Sequence, residues 1–266
     1  MNILVCVKQV PKEEDMKLDP VTKTLIRSQG TGVLSEHDRF AMELAARLKA
    51  EKGGRVTAIT MGPPQAAEVL RYCMAVGADE VCLLSDRAMG GADAYATVNV
   101  LAAAKAELEK QHGEAFDLIL TGSQASDSDT SLVMPQLAEA LGLPQVTFVT
   151  DYLLEDGELR VWRSTDDGAD LLAVSLPAVM SVGKTVFSAR MPNLRLKLKA
   201  NHMEIPTLNA AVLSLDPGTI GVKGSRTTVG SSYFPEHSKD CVRVEGADAA
   251  ETAEKLVALL RAAKVL

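Results

Sequence analysis

Aromatic residues are scarce. Phe, Trp and Tyr make up 4% of the 266 residues, with a single tryptophan, Trp162. A large planar ligand must therefore be held mainly by backbone and aliphatic contacts. Cysteine is nearly as sparse: Cys6, Cys73, Cys82 and Cys241 show no CxxC spacing. Three of them lie in apolar segments, where cysteine acts as a small hydrophobe, so neither a disulfide framework nor a zinc site is legible. His37, His112, His202 and His237 have no metal-ligand spacing. No apolar run approaches the length that spans a bilayer. The opening apolar run at 3–7 has no basic flank or cleavage site, so it reads as a first strand and not a signal peptide. These absences lead us to expect a soluble protein of a reducing compartment, the cytoplasm.

Catalytic signatures are missing too. There is no GxGxxG and no GxxxxGK[ST]. Ser181 and Ser225 lack the setting of a nucleophile elbow, and no nucleophile–base pair can be argued. Basic residues are scattered in a chain of net charge −7, with one dense run at 190–199. Nucleic-acid binding needs clustered Lys and Arg, and is excluded.

What is present is a core and a rhythm. The chain is 47% hydrophobic and 24% charged, enough for one large α/β domain with appendages. Apolar runs at 3–7, 55–61, 80–84 and 117–121 read as strands covered on both faces. Between them, 37–52, 65–76, 93–110 and 130–141 read as helices, with Ser35 or Asp38 capping the first and Asp93 the third. Strand–helix alternation implies right-handed crossovers and a parallel, doubly wound sheet. Runs at 147–152, 158–164 and 171–175, separated by turns near Gly157 and Gly168, predict an antiparallel edge meander; 177–181 is one more strand. Periodicity fades from Lys184, and 200–230 has little amphipathic pattern, which suits an arm packing on another chain. A helix follows from Asp248. The predicted organisation is an α/β nucleotide-binding domain over 1–183, an extended partner-binding arm over 184–247 and a C-terminal helix over 248–266.

Ligands in open α/β sheets collect beyond the carboxyl ends of strands. Four loops qualify: 8–11, 62–65, 85–93 and 122–130. The last places Ser123, Gln124, Ser126, Ser128 and Thr130 before a helix, where backbone amides and hydroxyls can hold a phosphate. Asp127 and Asp129 would repel a phosphate, so they read as helix caps or as acceptors for ribose hydroxyls. An empty capping loop is an equal reading. In the loop at 85–93, Gly90 and Gly91 would let a ligand approach the backbone and Arg87 could pair with a pyrophosphate. A plain turn with an N-cap is the alternative there.

Taken in order, these segments resemble electron transfer flavoprotein beta subunits. The stretches are 2–11, 46–49, 61–66, 74–79, 122–130, 141–145 and 176–179, and together the likeness covers about 1–229. The resemblance implies an adenine-nucleotide-hydrolase-like fold, an obligate heterodimer with an FAD-carrying alpha subunit, and a nucleotide in this chain. In common family members that nucleotide is AMP. In the electron-bifurcating group, linked to anaerobic metabolism, it is a second FAD. There NADH is the electron donor; one electron goes to ferredoxin or flavodoxin, and the other passes through the alpha-subunit FAD to a flavin dehydrogenase. The loop at 86–93, the Asp127-x-Asp129-Thr130 signature and the stretch at 220–229 resemble the bifurcating group most, and FAD is the expected cofactor. By the same resemblance Cys6, Met61, Gly62, Arg87, Gly91, Ala92, Asp93, Thr97, Gly122, Gln124, Asp127, Ser128, Asp129, Thr130, Leu132 and Val133 line the nucleotide. Glu36, His37 and Asp38 stand close to a nicotinamide cofactor by position, an exposed helix start being the plainer reading. No side chain is expected to do catalytic chemistry, and no metal is expected.

The departures are specific. Ser128, Leu132 and Met134 replace Gly, Gln and Gly of the signature, and Ser35-Glu36 stands where Asn-Pro is usual. The segment at 183–190 lacks the family's dehydrogenase-recognition pattern. The bulk at Leu132 and Met134 favours AMP, so FAD and AMP both stay open.

Overall fold

The computed structural model describes residues 1–12, 32–155, 157–230 and 241–266. The continuous apolar run Ile3-Leu4-Val5-Cys6, entered through Asn2, forms β1 (Asn2–Cys6) at the centre of a nine-stranded sheet. Both faces of β1 are buried, with Ile3 and Val5 on one and Leu4 and Cys6 on the other. That is why the run lacks polar alternation. On one side of β1 lie β4 (Arg55–Met61) and β5 (Glu80–Leu84), and on the other β6 (Leu118–Gly122) and β10 (Ala178–Val182). All of these pair in parallel. A small antiparallel pair, β2 (Gln9–Val10) and β3 (Val33–Leu34), stands apart from the main sheet.

Helices cover both faces. The helices α1 (Glu36–Lys52) and α2 (Ala67–Val76) pack on the face that carries Ile3, while α3 (Ala94–His112) and α4 (Val133–Leu141) cover the face of Leu4. Beyond β10 come β7 (Gln145–Glu155), β8 (Glu158–Thr165) and β9 (Gly168–Val174). β7 is parallel to β10, and β7, β8 and β9 form the expected antiparallel meander. The doubly wound sheet with an antiparallel edge is the architecture the sequence implied.

Two details differ from expectation. The fourth helix begins at Val133 rather than at Thr130, and no side chain caps it. The stretch from 184 also carries more structure than its pattern announced. It holds α5 (Leu194–Asn201), the two-residue β11 (Thr207–Leu208) paired in parallel with β5, and the short α6 (Gly221–Gly224). Buried Ala200, Leu208, Leu213 and Ile220 join the core clusters. Residues 1–230 form one compact unit, and residues 231–266 a second. In the second, α7 (Ala249–Ala262) is capped by Asp248, whose carboxylate accepts from the Glu251 amide. No helix among the described residues is long and apolar enough to cross a membrane.

Candidate functional site

From β1 the chain moves outward to β4 and β5, then returns to the other side of β1 for β6. The switch point therefore lies between β1 and β6, where open α/β sheets form a ligand crevice beyond the carboxyl ends. The loops that flank it are 7–11 and 122–132.

Asp38, in the first turn of α1, joins those loops from below. Its side chain is buried, and Oδ2 accepts the Lys8 N–H at 2.7 Å while Oδ1 accepts the Gly122 N–H at 2.9 Å. Burial pushes its pKa up to about 7, against the amide bonds from Lys8 and Gly122 and the Lys8 charge. Asp38 is thus not the cap expected of it. Ser35 does occupy the cap position, but its hydroxyl donates to the Gln124 carbonyl at 3.4 Å. Beside it, Ser123 Oγ lies 2.9 Å from His37 Nδ1. The first turn of α1 is thereby stitched to the loop after β6 by three consecutive contacts.

The Lys8 ammonium reaches over the crevice to Asp127 at 2.6 Å and Ser128 Oγ at 3.2 Å. Asp127 is 2% exposed at its side chain and Lys8 is 41% exposed. The carboxylate is thus neutralised inside the loop and does not cap α4. Asp129 and Ser131 hold left-handed backbone, with φ of 49° and 53°. Gln124, Ser126, Ser128, Asp129, Thr130 and Leu132 are exposed along this loop, and Val133 is half-buried. With no side-chain cap on α4, no N–H on Pro135 and the Gln136 amide donating to the Leu132 carbonyl, the first turn offers an anion only the amides of Val133 and Met134.

A second group sits beyond β5. The loop from 85 to 93 is bounded by two carboxylates, and each divides its oxygens between its own loop and the returning segment. Asp86 Oδ1 accepts the Ala88 amide at 2.9 Å, and Oδ2 the Ala210 amide at 3.2 Å. Asp93 Oδ1 caps α3 through the Ala96 amide at 2.9 Å, as predicted. Its Oδ2 accepts from the Arg226 amide at 2.7 Å, the Thr227 amide at 2.9 Å and Thr227 Oγ at 3.0 Å. Partial burial raises the Asp93 pKa, and the bonds from Ala96, Thr227 and Arg226 outweigh it, so the group titrates below the ordinary carboxylate value.

The other expected residues fall along the same edge. Met61 and Gly62 are half-buried at the end of β4, where the Gly62 amide donates to the Leu84 carbonyl at 3.0 Å. Arg87 is exposed and has no ion-pair partner among the described residues. Gly91, with φ of 71°, leaves room for the side chain of Val222. Ala92 and Thr97 are half-buried, the Thr97 amide donating to the Asp93 carbonyl. Cys6 is buried, and its thiol is pushed up to about 12 by burial and by the nearby Asp38 charge, so it stays protonated and unreactive. Glu36 is exposed. Met134 lies in the core at 2% exposure, so only Leu132, 48% exposed, adds bulk to the crevice.

Sequence reasoning missed the parts of Asp38 and Lys8 as loop braces and the contribution of Ser225–Thr227. Their partners are backbone amides or residues more than a hundred positions away, which leave no local signature. Only Asp38's place in a helix start beside the loops pointed toward it. Chemically, the edge offers amides, hydroxyls and a braced cation, a set suited to holding phosphates and ribose hydroxyls.

Comparison with known proteins gives four concordant likenesses. The electron transfer flavoprotein domain matches residues 22–213. The electron transfer flavoprotein subunit beta of Megasphaera elsdenii is 41% identical over 237 residues, 88% of each chain. Subunit CarD of the caffeyl-CoA reductase-Etf complex of Acetobacterium woodii is 39% identical over 262 residues, 98% of each chain. Protein FixA of Azotobacter vinelandii is 35% identical over 253 residues, 93% of this chain and 89% of that one.

Proposed function

The chain belongs to the electron transfer flavoprotein family as a beta subunit, and from that premise we propose that its crevice holds FAD and passes electrons through the FAD of an alpha subunit. The observation that carries this reading is the switch point itself. The loops after β1 and β6 are braced to each other by Asp38 and by the Lys8–Asp127 pair, beside the uncapped start of α4. A phosphate at that helix start meets amides and hydroxyls, while the one buried carboxylate in the loop is already neutralised. The residues present therefore fit a dinucleotide's pyrophosphate.

A flavin bound here supplies one- and two-electron redox chemistry. The chain's own share is positional. The 122–132 loop orients the phosphates, aliphatic residues exclude water, and the crevice sets the distance to the next redox centre. The alpha subunit is the partner that family membership implies. NADH as donor, ferredoxin or flavodoxin as one acceptor and a flavin dehydrogenase as the other complete the bifurcating form of the proposal. Support comes from the sequence likeness of the 86–93 loop to that group, and from Met134 lying outside the crevice. The stretch at 184–247 is proposed as the face toward the alpha subunit, and a reducing cytoplasm as the setting for its free thiols.

A structural AMP is the second reading, favoured by the exposed bulk of Leu132. The test is to co-produce the chain with its alpha subunit and to measure FAD and AMP per heterodimer. Two FAD, one of them reduced by NADH, is the expected result. One FAD with one AMP would sink the FAD assignment.

A further inference from the structure

The Asp93 carboxylate is turned onto the chain itself. Each carboxylate oxygen has roughly two acceptor directions; Oδ1 accepts from Ala96, and Oδ2 is saturated by three donors, one from Arg226 and two from Thr227. Its backbone amide donates to Ser225 Oγ at 2.9 Å, and that hydroxyl donates on to the Gly221 carbonyl at 2.8 Å. Gly221 itself, with φ of 57°, lies so close to the Ala88 carbonyl that any side chain would overlap it. Asn99 holds the Thr219 carbonyl at 2.9 Å, and the Arg226 guanidinium lies 4.9 Å from the centre of the Tyr95 ring. The segment at 219–227 is thus seated on the 87–91 loop and the start of α3 by several independent contacts.

We propose that Asp93 is a positioning residue of the nucleotide site, latching the 219–227 segment across the 87–91 loop and making no contact with the nucleotide. This rests on the reading that the carboxyl edge binds an adenine nucleotide. The latch sets the shape of the 87–91 loop, which carries Arg87, because Gly91 and Ala88 are packed directly against Val222 and Gly221.

Asp93→Asn separates the two duties of the side chain. Asparagine caps helices as well as aspartate does, so its oxygen can keep the Ala96 amide. Its NH2 group would then face three donors, and the latch should open. In the purified heterodimer, amide hydrogen exchange at 221–227 should speed up about tenfold or more, with the first turns of α3 unchanged. FAD and AMP, counted together, should dissociate several-fold faster. Ser225→Ala leaves Asp93 in place and removes one bond of the latch. It should move both readouts in the same direction by a smaller factor, and it serves also if Asp93→Asn folds poorly. Nucleotide lost from Asp93→Asn while 221–227 exchanges as in the wild type would make Asp93 a direct ligand and overturn the proposal. An opened latch with unchanged nucleotide dissociation would overturn it equally. A wild-type complex that carries no adenine nucleotide beyond the alpha-subunit FAD would instead defeat the underlying reading of the site.

Discussion

Gly122 and Asp38 share one space: the Gly122 amide donates to Asp38 Oδ1 at 2.9 Å, and a side chain at Gly122 would overlap that same oxygen. The glycine is needed for close approach within the chain, at the hinge of the candidate crevice. Gly122→Ala would also place its methyl 2.9 Å from the Asp38 amide nitrogen and from His37 Cβ. Backbone must give way, since neither neighbour is the free end of a flexible side chain. Destabilisation of roughly 1–3 kcal/mol is expected from overpacking, with nucleotide lost from the heterodimer more readily. Urea unfolding of the variant beside the wild type measures the first effect, and nucleotide content the second.

Asp38 should leave a signature in the pH dependence of stability. An unfolded aspartate titrates near 3.8, and burial raises this one to about 7. Between those values the folded chain keeps a proton that the unfolded chain has released. The contribution of Asp38 therefore favours the fold at low pH, fades as pH rises from about 4 to 7, and is flat above. At about 1.4 kcal/mol per unit, the span is on the order of 4 kcal/mol. Asp38→Asn cannot titrate. Its unfolding free energy relative to wild type should shift in the variant's favour between pH 5 and pH 8, whatever its constant offset. An unchanged difference across that range would remove Asp38 as the titrating group.

The tether at Glu43 behaves in the opposite sense. Its buried carboxylate accepts from Arg190 through the amide at 3.0 Å, Nε at 2.6 Å and the terminal guanidinium nitrogen at 3.2 Å, and from Arg47 Nε at 2.7 Å. Burial raises its pKa, and the bonds from Arg190 and Arg47 outweigh that, leaving it below the usual glutamate value. Stability from this cluster is present above the ordinary glutamate range and is lost as pH falls through it. Glu43→Gln sets an amide donor against the guanidinium groups. A cost of about 1–2 kcal/mol is expected, toward the lower end for hydrogen bonds to charge because both arginines are partly exposed. The strand of chain from 184 to 190 should also be cut faster by trypsin.

These sites show which parts of the molecule the residues announce and which they conceal. β1, β4, β5 and β6 were readable because each is an apolar run bounded by a turn, and burial on both faces demands that pattern. Asp93 as an N-cap was readable because its partner, Ala96, is three residues away. The start of α4 was not. Asp127 and Asp129 look like caps, but Asp127 answers to Lys8, far away in sequence. The seating of 219–227 was hidden for the same reason: Asp93 reaches 133 residues along the chain to Arg226, and backbone amides carry no residue identity. The positions of the site loops were legible; the braces that shape them were not.

The loop after β6 stores strain that substitutions should reveal. Ser131 holds φ of 53°, a conformation that costs an L-residue roughly 1–2 kcal/mol. It persists because its surroundings fix it: the Ser128 and Asp129 amides both donate to the Ala125 carbonyl, at 3.1 and 2.8 Å, and α4 begins two residues beyond Ser131. Ser131→Gly removes the penalty, although glycine's extra freedom in the unfolded chain cancels part of the gain. The net change should be about 0.5 kcal/mol of stabilisation, a rise of a degree or two in Tm. Ser131→Val should move the other way by more, since a β-branched residue fits left-handed backbone poorly. If the loop orients the phosphates of a bound nucleotide, Ser131→Val should also release nucleotide faster from the heterodimer, while Ser131→Gly keeps it. Equal retention in both variants would mean that the loop's shape is set for packing alone, with the phosphate held elsewhere along the edge.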